Sequence, residues 1–377
     1  MWFDIGGATA LAVASGTEPA LARAVAGAFA PYPPRSDQVA TVGVSIQPLS
    51  YTPKFQDIEN PAGDGLATAY DGERAYILRG RHACVVPDPL RDAPAAFAYT
   101  PGFPMHELVR TYVRTAVSLT ALRTECVVVH AAAVSINGRA VLIGGWSESG
   151  KTEIALALAE AGAEFISDKW TIVRADGSIC PFPASVGIRR WVLPYLPKLR
   201  AQLPRTATAQ LAGAAALSLV SRPFRRSFRN EVLREAGSRS TQLVALAERA
   251  AVSVEQVRAA YGTVGDVTAP LPLGLVVLLS TVAPGTRPAV TSAETSIVAR
   301  RLAQAAAFER RTYFSVTERV RYGGASRDRT DGPTVAGIEE SLLRARFADA
   351  GLLEVRTPFP GDPRRAAESI LGDLEVQ

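Results

Sequence analysis

The chain has 377 residues, of which 47% are hydrophobic and 20% are charged, and its formal net charge is +5 at pH 7. This composition is typical of a globular protein, and the length allows two domains, each with its own core. The mild positive charge fits an acidic ligand but does not require nucleic acid, which we do not expect as a partner. Cys84, Cys126 and Cys180 are too far apart to indicate disulfides or a zinc site, which favours reduced thiols and a cytoplasmic location.

Residues 1–100 predict a small α+β domain without a chemical motif of its own. The stretch 5–14 is apolar but short, and no basic residue precedes it, so it favours a strand over a signal peptide or membrane span. We therefore expect no association with a membrane. The predicted elements are a strand at 3–13, a helix at 18–29, and short strands at 40–46, 66–70, 75–78 and 83–86.

Residues 101–377 predict a larger α/β domain that begins with a helix at 105–124. Strands are predicted at 127–134 and 139–143, and the dipeptide Asn137-Gly138 between them is a strong signal for a tight hairpin turn. Residues 164–170 predict a further strand that ends at the acidic residue Asp168.

The second half of this domain contains a helical insertion at about 204–266, rich in Ala and Arg. Within it, Arg222, Arg225, Arg226 and Arg229 share one face of a predicted helix, either as a docking surface for an acidic partner or as a solvated face. Beyond the insertion, the patterns predict a strand at 275–279, a helix at 293–308, a mobile surface loop at 321–333 and a strand–loop–helix unit at 352–371.

The segment 145–152 matches the phosphate-binding pattern G-x-x-x-x-G-K-[ST] and lies between a predicted buried strand and a predicted helix. Its residues are Gly145, Trp146, Ser147, Glu148, Ser149, Gly150, Lys151 and Thr152. In such a loop the backbone amides and the helix N-terminus surround a polyphosphate. The lysine contacts the β and γ phosphates, and the hydroxyl of the last residue binds Mg²⁺. We predict that this loop binds a nucleoside triphosphate.

Asp168 is the candidate catalytic base, because a carboxylate at a strand end beside the phosphate loop can orient an attacking hydroxyl and accept its proton. Outside this context, an Asp after a strand is commonly a turn-former or a helix cap. Lys169 follows directly; it cannot bind a metal, but it can contact a phosphate or pair with Asp168.

Residues 130–173 resemble the catalytic core of the HPr kinase/phosphorylase superfamily. The shared order is a His, a β-hairpin, a phosphate loop ending in G-K-[ST]-E, a helix, and a strand that closes on an Asp pair. Here His130, the Asn137-Gly138 hairpin, the loop through Glu153, and Asp168 follow that order. A looser similarity covers residues 352–366. The sequence departs from the family at Lys169, where a second acid that helps to hold the metal is usual.

The resemblance implies an α/β P-loop kinase core with a smaller N-terminal α+β domain. It implies transfer of the γ-phosphoryl group of ATP, with Mg²⁺, to a hydroxyl of a peptide or protein, Ser or Thr above all. A small-molecule alcohol as acceptor and a nucleotide-sensing module without transfer remain open alternatives. Assembly into homo-oligomers is also implied, although no seam is visible in the sequence.

The resemblance also implies roles for three residues. Asp168 would be the catalytic base, His130 would assist proton movement or bind phosphate, and Glu153 would support the metal with Thr152. Read from the residues alone, His130 also fits a half-buried structural histidine, and Glu153 also fits an acid that stabilises the first turn of a helix.

Overall fold

The computed structural model describes residues 1–14, 17–36, 43–51, 53, 55, 57–59, 66–221, 249–263, 265–322 and 329–376. This part of the chain is a mixed α/β fold with two large mixed sheets and a two-stranded ribbon. The predicted arginine face at residues 222–229 lies outside the described residues.

The first sheet has eight strands, and the N-terminal α+β prediction corresponds to it. The strands are β1 Trp2–Ile5, β2 Thr9–Val13, β3 Val44–Pro48, β4 Asp57–Glu59, β5 Leu66–Tyr70, β6 Ala75–Arg79, β7 His82–Val85 and β8 Ala95–Tyr99. Their spatial order is β1-β2-β3-β8-β7-β6-β5-β4, with helix α1 (Pro19–Phe29) between β2 and β3 in the chain. The prediction of one strand at 3–13 is wrong, because Gly6 and Gly7 adopt positive φ angles and turn the chain into the β1–β2 hairpin.

The second sheet has nine strands and contains the phosphate-loop segment. Its strands, together with the ribbon β15–β16, are β9 Val127–Val129, β10 Ala131–Ile136, β11 Arg139–Gly145, β12 Glu164–Ser167, β13 Thr171–Val173, β14 Ser178–Pro181, β15 Val186–Arg189, β16 Arg249–Val252, β17 Leu271–Val282, β18 Ala289–Ser292 and β19 Gly351–Pro358. The main path is β12-β10-β11-β17-β14-β13-β9; β19 pairs with β17, and β18 pairs with β19. Strands β11, β17 and β19 run parallel at the centre of this sheet.

Two predictions for this sheet have different outcomes. The Asn137-Gly138 hairpin is confirmed, with both residues at positive φ between β10 and β11. The single strand predicted at 127–134 is wrong: the chain breaks at His130, so that β9 pairs with β13 while β10 pairs with β11 and β12.

The remaining helices pack on the faces of the sheets. They are α2 Met105–Glu107, α3 Arg114–Thr120, α4 Lys151–Glu160, α5 Pro197–Gln202, α6 Arg205–Ser221, α7 Val254–Ala260, α8 Thr295–Glu309, α9 Arg311–Tyr322, α10 Gly332–Arg346 and α11 Pro363–Val376. A π-helical segment, Leu108–Val113, joins α2 to α3, and 3₁₀ turns occupy Ala121–Thr124 and Arg190–Tyr195. The segment predicted as one helix at 105–124 is therefore helical throughout, but in three forms.

The prediction of a surface loop at 321–333 is wrong at both ends of that range. Helix α9 continues to Tyr322 and α10 begins at Gly332, where the Asp331 side chain accepts a hydrogen bond from the Thr334 amide and caps the helix. The interior of this segment, residues 323–328, lies outside the described residues.

One hydrophobic cluster runs through both sheets, from Phe3 and Phe97 to Val129 and Ile172. Hydrogen bonds cross the same boundary: the Tyr32 hydroxyl donates to the Pro181 carbonyl at 2.7 Å. A second cluster covers the opposite face of the second sheet and includes the apolar side of α4. The two sheets therefore share buried surface, and the domain boundary near residue 100 stays a prediction.

A buried ion pair joins the end of α8 to α10. The Arg310 guanidinium, 2% exposed, donates a hydrogen bond to the Glu339 carboxylate, which is 0% exposed. Arg310 also donates to the Val128 carbonyl at 2.5 Å in β9. Because neither charge has access to water, each depends on the other for its stability.

We expect Glu339→Ala to lower the free energy of unfolding by about 3–5 kcal/mol, because it leaves the Arg310 cation buried without its partner. Urea denaturation followed by circular dichroism measures this loss. The adjacent variant Glu340→Ala is the matched control, since Glu340 pairs with Arg344 on the exposed side of the same helix. Its loss should be about 0.5 kcal/mol or less, and equal losses in the two variants would contradict the analysis.

Candidate functional site

The segment Gly145–Thr152 forms a tight connection between the C-terminal end of β11 and the start of α4. Strand β11 ends at Gly145, and α4 begins at Lys151 with Gly150 as its N-cap at φ 94°. A Cβ atom on Gly150 would lie 3.1 Å from a ring carbon of Phe359, so both the backbone angle and the close packing favour glycine. The loop therefore has the strand–loop–helix context that its sequence requires of a phosphate-binding segment.

The Lys151 side chain is folded back into this loop. Its ammonium donates hydrogen bonds to the carbonyls of Gly145 at 3.0 Å and Trp146 at 2.6 Å, and the residue is only 6% exposed. Burial lowers the pKa of Lys151 to about 8, against the opposing effect of the carboxylates of Asp168 and Glu309. The two carbonyls are neutral acceptors, so they stabilise the ammonium less than an anion would. A phosphate bound in the loop would supply such an anionic partner.

The side chains of Thr152, in the first turn of α4, and Asp168, just after β12, meet directly, although β10 lies between β11 and β12 in the sheet. The Thr152 hydroxyl donates to Asp168 Oδ1 at 2.6 Å, and the Gly187 amide donates to Asp168 Oδ2 at 3.3 Å. Both side chains are buried. The structure thus brings the predicted metal-binding hydroxyl and the predicted catalytic carboxylate to one point.

This hydroxyl–carboxylate pair is a donor set that Mg²⁺ accepts, because the ion prefers oxygen ligands and keeps several waters or substrate phosphate oxygens. Within the described ranges, no group of three or more His, Cys, Asp or Glu side chains is arranged to hold a metal ion. A Mg²⁺ ion bound with a triphosphate requires fewer protein ligands than that.

Glu153 is held under Arg189 in the first turn of α4. Its Oε1 atom lies 3.6 Å from Arg189 Nε, and burial raises the pKa of the carboxyl group. Arg189 also donates to Glu148 of the loop at 2.9 Å, and its guanidinium lies 5.3 Å from the ring centre of Phe359. Arg189 therefore links the loop to the helix, a role that its sequence position on β15 did not reveal.

His130 lies at the break between β9 and β10 and is 5% exposed. Burial, with the nearby charges of Lys151 and Lys169, lowers its pKa to about 2, so the ring is neutral at physiological pH. Its Nδ1 atom is 3.9 Å from Glu309 Oε1, too far for a hydrogen bond. A neutral imidazole cannot pair with phosphate as a cation, but its N–H can still donate a hydrogen bond, so phosphate binding, proton movement and a structural role all stay predictions for His130.

Lys169 occupies a strained three-residue turn next to Asp168. It has φ 67°, and the Trp170 amide donates to the Asp168 carbonyl at 2.7 Å across it. Non-glycine residues adopt such a conformation at a cost of about 1–3 kcal/mol, and these turns concentrate at functional sites. The Lys169 side chain is exposed, yet desolvation by the surrounding protein lowers its pKa, and the carboxylate of Glu309 opposes that effect. Among the described residues, no carboxylate forms an ion pair with Lys169.

Trp146 is 51% exposed at the outer side of the loop. Its ring lies 4.7 Å from that of Phe308 at the end of α8, and the Arg311 guanidinium lies 4.0 Å from the Phe308 ring centre. The indole is therefore a natural fluorescent reporter of ligand binding in the loop.

Comparisons with known proteins leave the family open, since no family model and no curated protein matches this chain. In the described part of the chain, no helix is both long and apolar enough to cross a membrane. Any function therefore has to be inferred from the loop and the residues around it.

We expect the affinity for ATP·Mg²⁺ to fall above pH 8. Below that pH Lys151 is protonated and available to phosphate; above it, the free site loses the proton that phosphate binding requires. The loss should approach about tenfold per pH unit, and titration of Trp146 fluorescence with a non-hydrolysable ATP analogue at pH 7, 8 and 9 measures it.

Lys151→Arg is the control for this pH dependence. The guanidinium keeps its charge throughout the range, so affinity should be weaker at pH 7 but almost independent of pH. An equal decline in both proteins would show that Lys151 is not the titrating group.

Proposed function

We propose that this protein is an ATP- and Mg²⁺-dependent kinase with a P-loop core of the HPr kinase type. Its γ-phosphoryl acceptor would be a hydroxyl group, with Ser or Thr of a peptide or protein favoured by the resemblance. The single observation that carries the proposal is the 2.6 Å hydrogen bond between Thr152 and Asp168, next to the lysine of the phosphate loop. It joins a metal-binding hydroxyl to a carboxylate at the place where a γ phosphate would lie.

Each group has a defined task in this mechanism. The loop amides and Lys151 hold the β and γ phosphates and neutralise the charge that develops during transfer. Mg²⁺, bound through Thr152 and the phosphates, would contribute further neutralisation and orientation of the triphosphate. Arg189 fixes the loop against α4 through Glu148 and Glu153.

The transfer itself is a displacement at the γ-phosphorus. The acceptor oxygen forms a bond to phosphorus while the bond to the β–γ bridging oxygen breaks, and ADP leaves. The acceptor proton passes to the carboxylate of Asp168, which is the base favoured by position. His130 lies near the same cations and is the second candidate for proton movement, although burial lowers the pKa of its ring and so makes it a weaker base than an ordinary imidazole.

A nucleotide-sensing module without transfer is the second candidate, and Lys169 is the observation that favours it. At position 169 a cation replaces the second acid that the HPr kinase family usually has, and the loss of that acid weakens metal binding. Without that acid, nucleotide binding does not by itself imply transfer of a phosphoryl group. A small-molecule alcohol is the other enzymatic reading.

We expect γ-labelled ATP with Mg²⁺ to label an acceptor in a size-fractionated lysate of the source organism. Labelling by Asp168→Asn should be reduced about 10²-fold or more, the usual contribution of a general base, and Lys151→Ala should abolish it. The size of the labelled fraction separates a peptide or protein from a small molecule.

Glu164→Gln is the matched control, because Glu164 is an exposed acid at the start of β12, the strand that immediately precedes Asp168, and it loses the same charge. It should label like the wild type. ATP binding without labelling of any fraction would overturn the kinase proposal and favour the sensing module.

A further inference from the structure

A cavity of about 210 Å³ lies between the helical segment 105–120, the Lys169 turn and the junction of α8 with α9. Four cationic side chains line it, and Glu309 is the only acidic one among its lining residues. The cations are Arg110, Arg114, Lys169 and Arg310.

Three of these four cations lack a carboxylate partner among the residues described. Arg310 is neutralised by Glu339, whereas Arg110 only approaches the His106 ring, at 3.4 Å. Arg114 donates to the Pro183 carbonyl, but its buried Nε has no hydrogen-bond partner in the described structure. The cavity therefore carries excess positive charge and at least one unsatisfied donor.

The cations also repel one another. Burial, followed by the charge of Arg110, lowers the pKa of Arg114 to about 10. An anion bound between them would relieve both the desolvation and the repulsion.

The size of the cavity suits one small anionic group. Pockets for whole small-molecule ligands occupy about 300–1,000 Å³, and this cavity lies below that range. Thr111, Thr115 and Ser118 also line the space, but the hydroxyls of Thr115 and Ser118 donate to the carbonyls of Thr111 and Thr115 at 2.7 Å, so the donors for an anion are the cations.

The cavity adjoins the proposed reaction centre. Lys169 directly follows Asp168, and Glu309 on the cavity wall approaches His130 at 3.9 Å. Trp170, another lining residue, stacks 5.2 Å from the His130 ring. Asp168 itself does not line the cavity, but its neighbour Lys169 does, so an acceptor anchored there by one group lies next to the residue that follows the proposed base.

We propose that this cavity binds an anionic group, a carboxylate or a phosphate, of the molecule that accepts the phosphoryl group. The inference rests on the proposed kinase function and narrows its substrate to acceptors that carry such an anion near the hydroxyl. It also explains the cation at position 169, because an acid there would repel the acceptor that Lys169, Arg110 and Arg114 attract.

The first test measures binding of inorganic phosphate to the full chain carrying Lys151→Ala, in which the phosphate loop is disabled. Calorimetry should detect phosphate binding to this variant. Adding Lys169→Met or Arg110→Gln, each separately, should weaken that binding at least about tenfold, because each removes a charge-assisted contact. Arg200→Gln is the matched control, since Arg200 is an exposed cation on α5, away from the cavity. The anion site would be overturned by equal affinity for phosphate in Lys151→Ala and in the three proteins that add Lys169→Met, Arg110→Gln or Arg200→Gln to it. Absence of phosphate binding to Lys151→Ala would also overturn it.

The second test asks whether the acceptor itself carries the anion. The lysate is separated on an anion exchanger before labelling with γ-labelled ATP, and the acceptor should be in the retained fractions. Prior phosphatase treatment should remove labelling if the anion is a phosphate, and carbodiimide coupling to ethanolamine should remove it if the anion is a carboxylate. A labelled acceptor in the unretained fraction, unaffected by both treatments, would overturn the inference while leaving the kinase proposal intact.

A third outcome would support the anion site but not the kinase. Phosphate binding that depends on Lys169 and Arg110, combined with no labelling of any fraction, would overturn both the kinase and the acceptor role. The cavity would then be an anion-binding site of a nucleotide sensor.

Discussion

The hydrogen bond between Thr152 and Asp168 connects the first turn of α4 to the end of β12, two elements that do not pair with each other. It can form only because β10 lies between β11 and β12 in the sheet and α4 crosses back over it. The loop, the helix N-terminus and the carboxylate are thereby fixed relative to one another. The Gly187 amide completes the arrangement by binding the second carboxylate oxygen.

Several cations lie near that hydrogen bond, and the surrounding protein removes part of their hydration. Burial lowers the pKa values of Lys151, Lys169 and Arg114, and Lys151 is held by carbonyl groups in place of a carboxylate. The carboxylates of Asp168 and Glu309 compensate the two lysine charges only in part, and a bound anion would compensate them further. Two adjacent sites of this kind, the loop and the cavity, fit a reaction between two anionic molecules, a triphosphate and an acceptor.

Local patterns predicted the parts of the fold that local geometry controls. The Asn137-Gly138 turn, the β11–loop–α4 connection and the strand ending at Asp168 all occur as expected, because each depends on a few adjacent residues. The errors arose where tertiary pairing overrides local propensity, as at His130, where an apolar run changes partners and becomes two strands. Helix α10 was missed although Asp331 and Pro333 give the usual signals of a helix start.

The sequence by itself determined the phosphate-binding motif and its neighbours along the chain, because consecutive residues set the loop conformation and the helix start. Which functional group faces which was decided only by the tertiary structure. Arg110, Lys169 and Glu309 come from three distant segments, and no spacing in the sequence connects them. They meet because the helices pack against the sheet ends through a shared apolar core, so their electrostatic coupling is a property of packing and not of any motif.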